Sequence, residues 1–210
     1  MAAAPERILP TSEECVYTAC YCEENIYKLC EWIRDNTSHL QEFYVVFISN
    51  AAQQVPLWMQ RAGRQYGPGK PVVWDYHVVL LHQREGQQTD VYDLDSMLPF
   101  PCNFSRYCTA TFHSDEELRP QFHRSFRVVP ASDYLLIFAS DRSHMRVAGG
   151  WMSPPPEYPC IQTDQSAMNL PMFIDMSPNT FVGEILNLKT FRLRFRTPTV
   201  EEQALAPDPS

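Results

Sequence analysis

The stretch VVWDYHVVLLHQREGQQTDVYDLDSM, residues 72–97, decides the fold. Val72–His82 is rich in β-branched and aromatic residues, a composition that suits a pleated, half-buried surface. Arg84–Gln88 (REGQQ) supplies a turn around Gly86, and Asp90–Met97 reads as the return strand. Folding this antiparallel hairpin about its turn makes opposed positions sum to about 170–172. His77 then faces Asp93 or Asp95, which share one face because strand side chains alternate. Directly opposed Cβ atoms lie about 4.5–5.5 Å apart, close enough for an imidazole and a carboxylate to hydrogen-bond. In this reading the carboxylate takes the Nδ1 proton and leaves Nε2 as a base. The residues leave the choice between Asp93 and Asp95 open. Trp74, Tyr76, Val78 and Leu80 are expected to form a core face.

Outward from the hairpin, Cys22–Asn36 places Ile26, Leu29, Cys30 and Ile33 at helical spacing, with Glu23 and Glu24 in the first turn, where the helix dipole favours negative charge. Glu42–Ser49 (EFYVVFIS) reads as a strand, Val55–Gln60 as a shorter one, and Gln65–Pro71 as turn chemistry. Downstream, Pro99–Arg106 reads as a loop, Ser114–Leu118 and Pro120–His123 as helical turns, and Phe126–Val129 as a short strand. Pro130–Ser140 reads as a helix, and the three consecutive prolines within Gly149–Pro159 forbid one there. Phe181–Leu188 is a last strand candidate and Lys189–Arg196 a short basic helix. A helix, then mostly antiparallel strands, then mixed elements indicates an α+β fold. One domain is expected over 15–196, between a mobile segment over 1–14 and a disordered, Pro-rich tail over 197–210.

Composition narrows the function. With 17 Lys and Arg against 25 Asp and Glu, the net charge of −8 argues against nucleic acid, whose phosphates require a basic face. No apolar run is long enough to span a bilayer, and Glu6 and Arg7 interrupt any signal-peptide core, so no membrane partner is expected. Seven cysteines are an odd count for a disulfide framework, which points to a reduced cytoplasmic or nuclear protein. A monomer is expected, since no heptads appear. Seven glycines and no Gly-rich phosphate loop argue against a nucleotide enzyme.

The thiol that stands out is Cys22, at a helix start. The dipole there favours thiolate, and the unpaired N–H groups of the first turn could hold an oxyanion. Glu23 and Glu24 oppose thiolate formation. Cys30, Cys102, Cys108 and Cys160 read as packing residues. Cys15, Cys20, Cys22, His77 and His82 offer metal-ligand types, but their spacing lacks the paired C-x2-C of a zinc ribbon, so no metal is expected. In SDRSHM (Ser140–Met145), His144 is a candidate second base against the plainer reading of a solvated helix end, and Asp141 or Arg142 could line a pocket.

CYCEENIYKLCE (20–31), WDYHV (74–78), YDLD (92–95), LPFPC (98–102), FASDRSHM (138–145), PPPEYPCI (154–161) and MNL (168–170) together resemble the WDYHV-motif family of protein N-terminal glutamine amidohydrolases, in order over residues 15–195. The resemblance implies an α/β sandwich with a central, mostly antiparallel sheet and a core like that of transglutaminases and papain-like cysteine hydrolases. It implies hydrolysis of the side-chain amide of N-terminal Gln to Glu and ammonia through a Cys thioester, without a cofactor, on proteins or peptides with an unblocked N-terminal Gln. The Glu so formed can be arginylated in the N-degron pathway. By resemblance Cys22 is the nucleophile, His77 the base and Asp93, rather than Asp95, the orienting acid. Selectivity for a free N-terminus calls for a carboxylate to pair with the α-ammonium. Asp75, Glu24 and Asp95 are the substrate-binding candidates, with Glu23 also near; Asp75 comes first because alternation places it on the His77 strand face. Two other classes fit the same residues: transglutaminase-like acyl transfer to an amine, and a non-catalytic adaptor that binds N-termini.

Overall fold

The computed structural model describes residues 9–67, 69–178 and 181–197. Strand β1 (Phe43–Ser49) lies inside a six-stranded antiparallel sheet. β2 (Val55–Leu57) and β3 (Val72–Trp74) form a separate pair, whereas β4 (His77–His82), β5 (Asp90–Tyr92), β6 (Cys102–Asn103) and β7 (Ser125–Pro130) join the main sheet. β8 (Arg146–Val147) and β9 (Gly150–Trp151) make a small hairpin, and β10 (Glu184–Asn187) closes the main sheet in the order β10-β7-β1-β4-β5-β6. The helices are α1 (Cys22–Asn36), α2 (Phe104–Phe112), α3 (Ala131–Ile137), α4 (Leu170–Ile174) and α5 (Leu188–Phe195).

The continuous apolar runs of β1 and β4 follow from burial on both faces. Val45, Phe47, Val78 and Leu80 enter one core, against Ile26, Leu29 and Ile33 of α1, Tyr134 of α3 and Phe173 of α4. Val46, Ile48, Val79 and Leu81 enter the other, against Tyr107 and Phe112 of α2 and Phe191 and Phe195 of α5. The result is helices on both faces of an antiparallel sheet, an α+β sandwich.

The expected strand over Val72–His82 is broken at Asp75–Tyr76, so β3 and β4 belong to different sheets. At the break the Tyr76 N–H donates to Asp75 Oδ1 (2.9 Å), and the Ser49 hydroxyl donates to the Asp75 carbonyl (2.9 Å). Side chains thus satisfy groups that a continuous ladder would have paired. Tyr76, Val78 and Leu80 are core as expected; Trp74 is not, and stacks on His77 at a centroid distance of 5.6 Å. The return strand ends at Tyr92, not Met97. The loop expected over Pro99–Arg106 instead contains β6 and the start of α2. Asn103 caps that helix by accepting the N–H groups of Ser105 and Arg106. Residues 1–8 of the segment expected to be mobile, and 198–210 of the tail expected to be disordered, lie outside the described residues; Leu9 is buried in the core.

Arg142 ties the Pro-rich segment to the start of α1. Its guanidinium donates to both carboxylate oxygens of Glu24 (2.9 and 2.8 Å) and to the carbonyls of Pro156 (3.1 Å) and Tyr158 (3.0 Å). Both charged side chains are buried. Removing one partner of such a pair leaves a buried uncompensated charge, which costs about 3–5 kcal/mol. Arg142→Met is therefore expected to lower the melting temperature by about 6–20 °C, at about 2–4 °C per kcal/mol for a domain of this size. Differential scanning calorimetry checks this, and an unchanged transition would deny the anchor.

Candidate active site

Three elements converge on one end of β4. α1 begins at Cys22, with no capping side chain at Tyr21. The chain enters this helix through Cys20 in the left-handed region (φ 69°), held by paired hydrogen bonds between Thr18 and Asn25 (2.8 and 2.9 Å). The first-turn N–H groups thus lack a side-chain cap, as an oxyanion site requires. α1 packs on β4.

His77 opens β4, pairs with Ile48 of β1 and is buried. Its Nε2 lies 2.9 Å from Asp93 Oδ1. Extending the observed pairing of Leu80 with Tyr92 would place Asp95 opposite His77. The strand ends first, and a turn closed by Ser96 N–H donating to the Asp93 carbonyl (3.3 Å) brings the Asp93 carboxylate to the ring instead. The expectation that the carboxylate takes Nδ1 is corrected: Asp93 engages Nε2, and Nδ1 is the remaining ring nitrogen. The turn sets which edge of the ring the acid meets, a detail that strand register does not carry.

Asp93 also accepts from the Tyr107 hydroxyl (2.7 Å), Gln60 Nε2 (3.1 Å) and the Asp95 N–H (2.9 Å). Burial alone would raise this carboxyl, but the charge of His77 and the bonds from His77, Tyr107 and Gln60 outweigh it and hold Asp93 below the usual carboxylate range. Burial alone would lower His77; the charge and hydrogen bond of Asp93 reverse that and raise it. The Cys22 thiol behaves otherwise than its helix position suggests. Burial, then the charges of Glu23 and Asp95, push it well above an ordinary thiol. The shifts favour a thiol over a thiolate, in a cleft shared with an imidazole that Asp93 makes more basic.

Cys22, His77, Trp74, Asp75, Asp95 and Met152 line a common cavity of about 180 Å³. Drug-sized pockets run to about 300–1,000 Å³, so this one suits a single side chain. A cavity of about 530 Å³ among Asp115, Asn187 and Arg192 holds no thiol and lies on the α5 side. Of the proposed substrate carboxylates, Asp75 and Asp95 line the cleft. Asp75 reaches it from the chain break, not by strand alternation. Asp95 accepts from the Tyr17 hydroxyl (2.6 Å), and burial raises its carboxyl. Glu24 is corrected: both its oxygens are bound by Arg142, it is fully buried, and it does not line the cleft. Glu23 is buried beside the thiol, its Oε2 3.7 Å from Cys22 Sγ.

Among the described residues, one group of metal-capable side chains is assembled: His77, Asp93 and Asp95, with a donor atom of each within 4.8 Å of the others. The direct bond from His77 to Asp93 is the contact that an ion would have to replace. His82, weighed as a ligand, sits at the other end of β4 and bonds Glu42 Oε2 (2.8 Å). The sequence reading missed Gln60 and Tyr107. Tyr107 stands on α2, whose Phe104, Tyr107, Cys108 and Phe112 do carry a helical spacing; Gln60 sits in a loop with no comparable signal.

The profile of a family described as N-terminal glutamine amidase matches residues 17–195. A protein N-terminal glutamine amidohydrolase of Bos taurus is 53% identical over 188 residues, 89% of each chain. The Homo sapiens protein of that name is 52% identical over 188 residues, 89% of this chain and 90% of its own. The Drosophila mojavensis protein of that name is 45% identical over 203 residues, 95% of this chain and 98% of its own.

The paired shifts of His77 and Asp93 make a stability prediction. A raised imidazole contributes stability below its unfolded value, about 6.5, and loses it as pH rises through the folded value. A lowered carboxyl contributes above its unfolded value, about 4, and loses it as pH falls through the folded value. Asp93→Asn should therefore destabilise most between about pH 4 and 6.5, with the difference from the parent shrinking on either side. Thermal melts across pH check this; a constant difference would contradict the coupling.

Proposed function

The chain belongs to the N-terminal glutamine amidase family, and from that premise we propose how its residues convert an N-terminal Gln into Glu and ammonia. One observation carries the mechanism: a histidine fixed by a buried aspartate shares a side-chain-sized cavity with a thiol at a helix start. Cys22 Sγ attacks the Gln side-chain carbonyl carbon while its proton passes to His77 Nδ1. Backbone N–H groups at the start of α1 donate to the oxyanion. The imidazolium gives its proton to the departing nitrogen, which leaves as ammonia, because an amide anion is too poor a leaving group. A γ-glutamyl thioester remains on Cys22. His77 then takes a proton from water, whose oxygen attacks the thioester; the sulfur leaves and recovers the proton. Asp93 stays ionised and stabilises the imidazolium in both halves.

The placement of nucleophile, histidine and acid on a helix start, a central strand and the turn after its neighbour supports a transglutaminase- or papain-like core. Asp75 and Asp95 give the cleft two carboxylates, and among the described residues no Lys or Arg lines it. Each uses Oδ1 within the fold. Their second oxygens are our candidates for pairing with the substrate α-ammonium, which must be unblocked. A nucleophilic thiol belongs in a reducing compartment, cytoplasmic or nuclear.

Ammonia release should therefore be seen with a Gln-initiated peptide and be absent with its acetylated and Asn-initiated counterparts. Equal release from acetyl-Gln would refute amine recognition. Cys22→Ala should abolish turnover, and Asp93→Asn should lower kcat by about 10³–10⁴ with the fold retained; an unchanged rate in either would remove that residue from the mechanism.

A further inference from the structure

Behind the thiol lies a second group of ionisable side chains that the mechanism does not use. The Glu23 side chain is inaccessible to solvent. Its Oε2 accepts from the Tyr76 hydroxyl (2.9 Å) and stands 3.7 Å from Cys22 Sγ. Its Oε1 is buried, has no hydrogen-bond partner among the described residues, and lies 3.5 Å from His144 Nε2. That nitrogen is also 3.5 Å from the Tyr76 hydroxyl, and His144 Nδ1 is buried with no hydrogen-bond partner among the described residues. His144 is partly exposed and lines, with Asn50, a cavity of about 530 Å³ that shares Asp75 and Tyr76 with the catalytic cleft.

A buried carboxylate with one satisfied oxygen is costly unless a cation offsets it. Arg142 is not that cation, because its guanidinium is taken by Glu24. The cation within reach is protonated His144. We infer that Glu23, Tyr76 and His144 form a positioning relay behind Cys22, in which the charge on His144 offsets that of Glu23 and so sets how readily the thiol gives up its proton.

The other ionisable groups around the thiol are Cys20 from the segment before α1, His77 from β4, Asp95 from the turn after β5, Asp75 and Tyr76 from the break before β4, and Tyr134 from α3. Around His144 they are Glu23, Tyr76 and Asp141, whose carboxylate accepts the Ser143 N–H (2.9 Å), with Asp75 and Asp175 lining the same cavity. Asp95 and Asp75 oppose the thiolate from the cleft, and His77 is the proposed proton acceptor. Among the described residues, Glu23 is the acid that both faces the sulfur and lies 3.5 Å from a partly exposed imidazole. Protonated His144 leaves the sulfur facing a neutralised pair; neutral His144 leaves it facing a bare carboxylate.

This relay rests on Cys22 as the nucleophile, but its test reads the thiol without turnover. Alkylation of Cys22 by iodoacetamide is followed by peptide mass spectrometry across pH, in the full chain and its variants. Glu23→Gln is expected to speed alkylation at pH 7 by roughly tenfold, the effect of one pKa unit. His144→Asn is expected to slow it, and His144→Lys to restore it. The double variant should follow Glu23→Gln, because His144 acts through Glu23. A merely structural role would shift Glu23→Gln and His144→Asn in the same direction, and that result overturns the relay. Should Glu23→Gln fail to fold, the partly exposed His144 carries the test: parent-like alkylation in His144→Asn overturns the inference. Ammonia release retained in Cys22→Ala would refute the mechanism, whereas the alkylation rates alone decide the relay, so the two readings fail separately.

Discussion

A buried carboxylate must be matched by donors or the fold pays for its desolvation, and Asp93 meets that demand with four. They come from β4 (His77), α2 (Tyr107), the loop at Gln60 and the turn backbone at Asp95. Satisfying one side chain therefore fixes the relative positions of four parts of the chain. The His77 ring cannot rotate without breaking a charge-assisted bond in a dry setting, where such bonds are strong. Its tautomer and orientation follow from the requirement that Asp93 be satisfied.

The thiol is governed by a contest of charges. A helix start carries about half a positive charge. Cys22 has that dipole in its favour, but it is half-buried and faces the full charges of Glu23 and Asp95. Burial and whole charges prevail over a partial one and favour the thiol form. In the mechanism we propose, thiolate forms only as proton transfer to His77 accompanies attack, with Asp93 stabilising the resulting cation. A thiol of that kind would be held back until an amide carbon occupies the small cavity.

Much of this was legible in the chain. The spacing of Ile26, Leu29, Cys30 and Ile33 gave α1 with the bounds observed, and the run read over Glu42–Ser49 gave β1 to within a residue. The pairing of His77 with an acid across the hairpin was also readable, since alternation and turn position require no tertiary knowledge. What escaped depends on local side-chain chemistry. Asp75 and Ser49 break a strand that composition makes continuous, and the turn after Tyr92 replaces Asp95 with Asp93 and presents the Nε2 edge. Glu24 looked like a cleft acid because it neighbours Cys22 in sequence. Two residues on from Cys22, a helix points its side chain elsewhere, and Arg142, over a hundred residues away, claims it.

The account stands on an acyl-enzyme at Cys22, and partitioning by hydroxylamine tests it most directly. A Gln-initiated peptide is turned over with increasing hydroxylamine, and Glu and γ-hydroxamate products are separated by mass. A thioester on Cys22 predicts that hydroxamate rises at the expense of Glu, because both nucleophiles intercept one intermediate. Ammonia released with Glu as the sole product at every hydroxylamine concentration would mean that water attacks the amide directly, and would contradict the account.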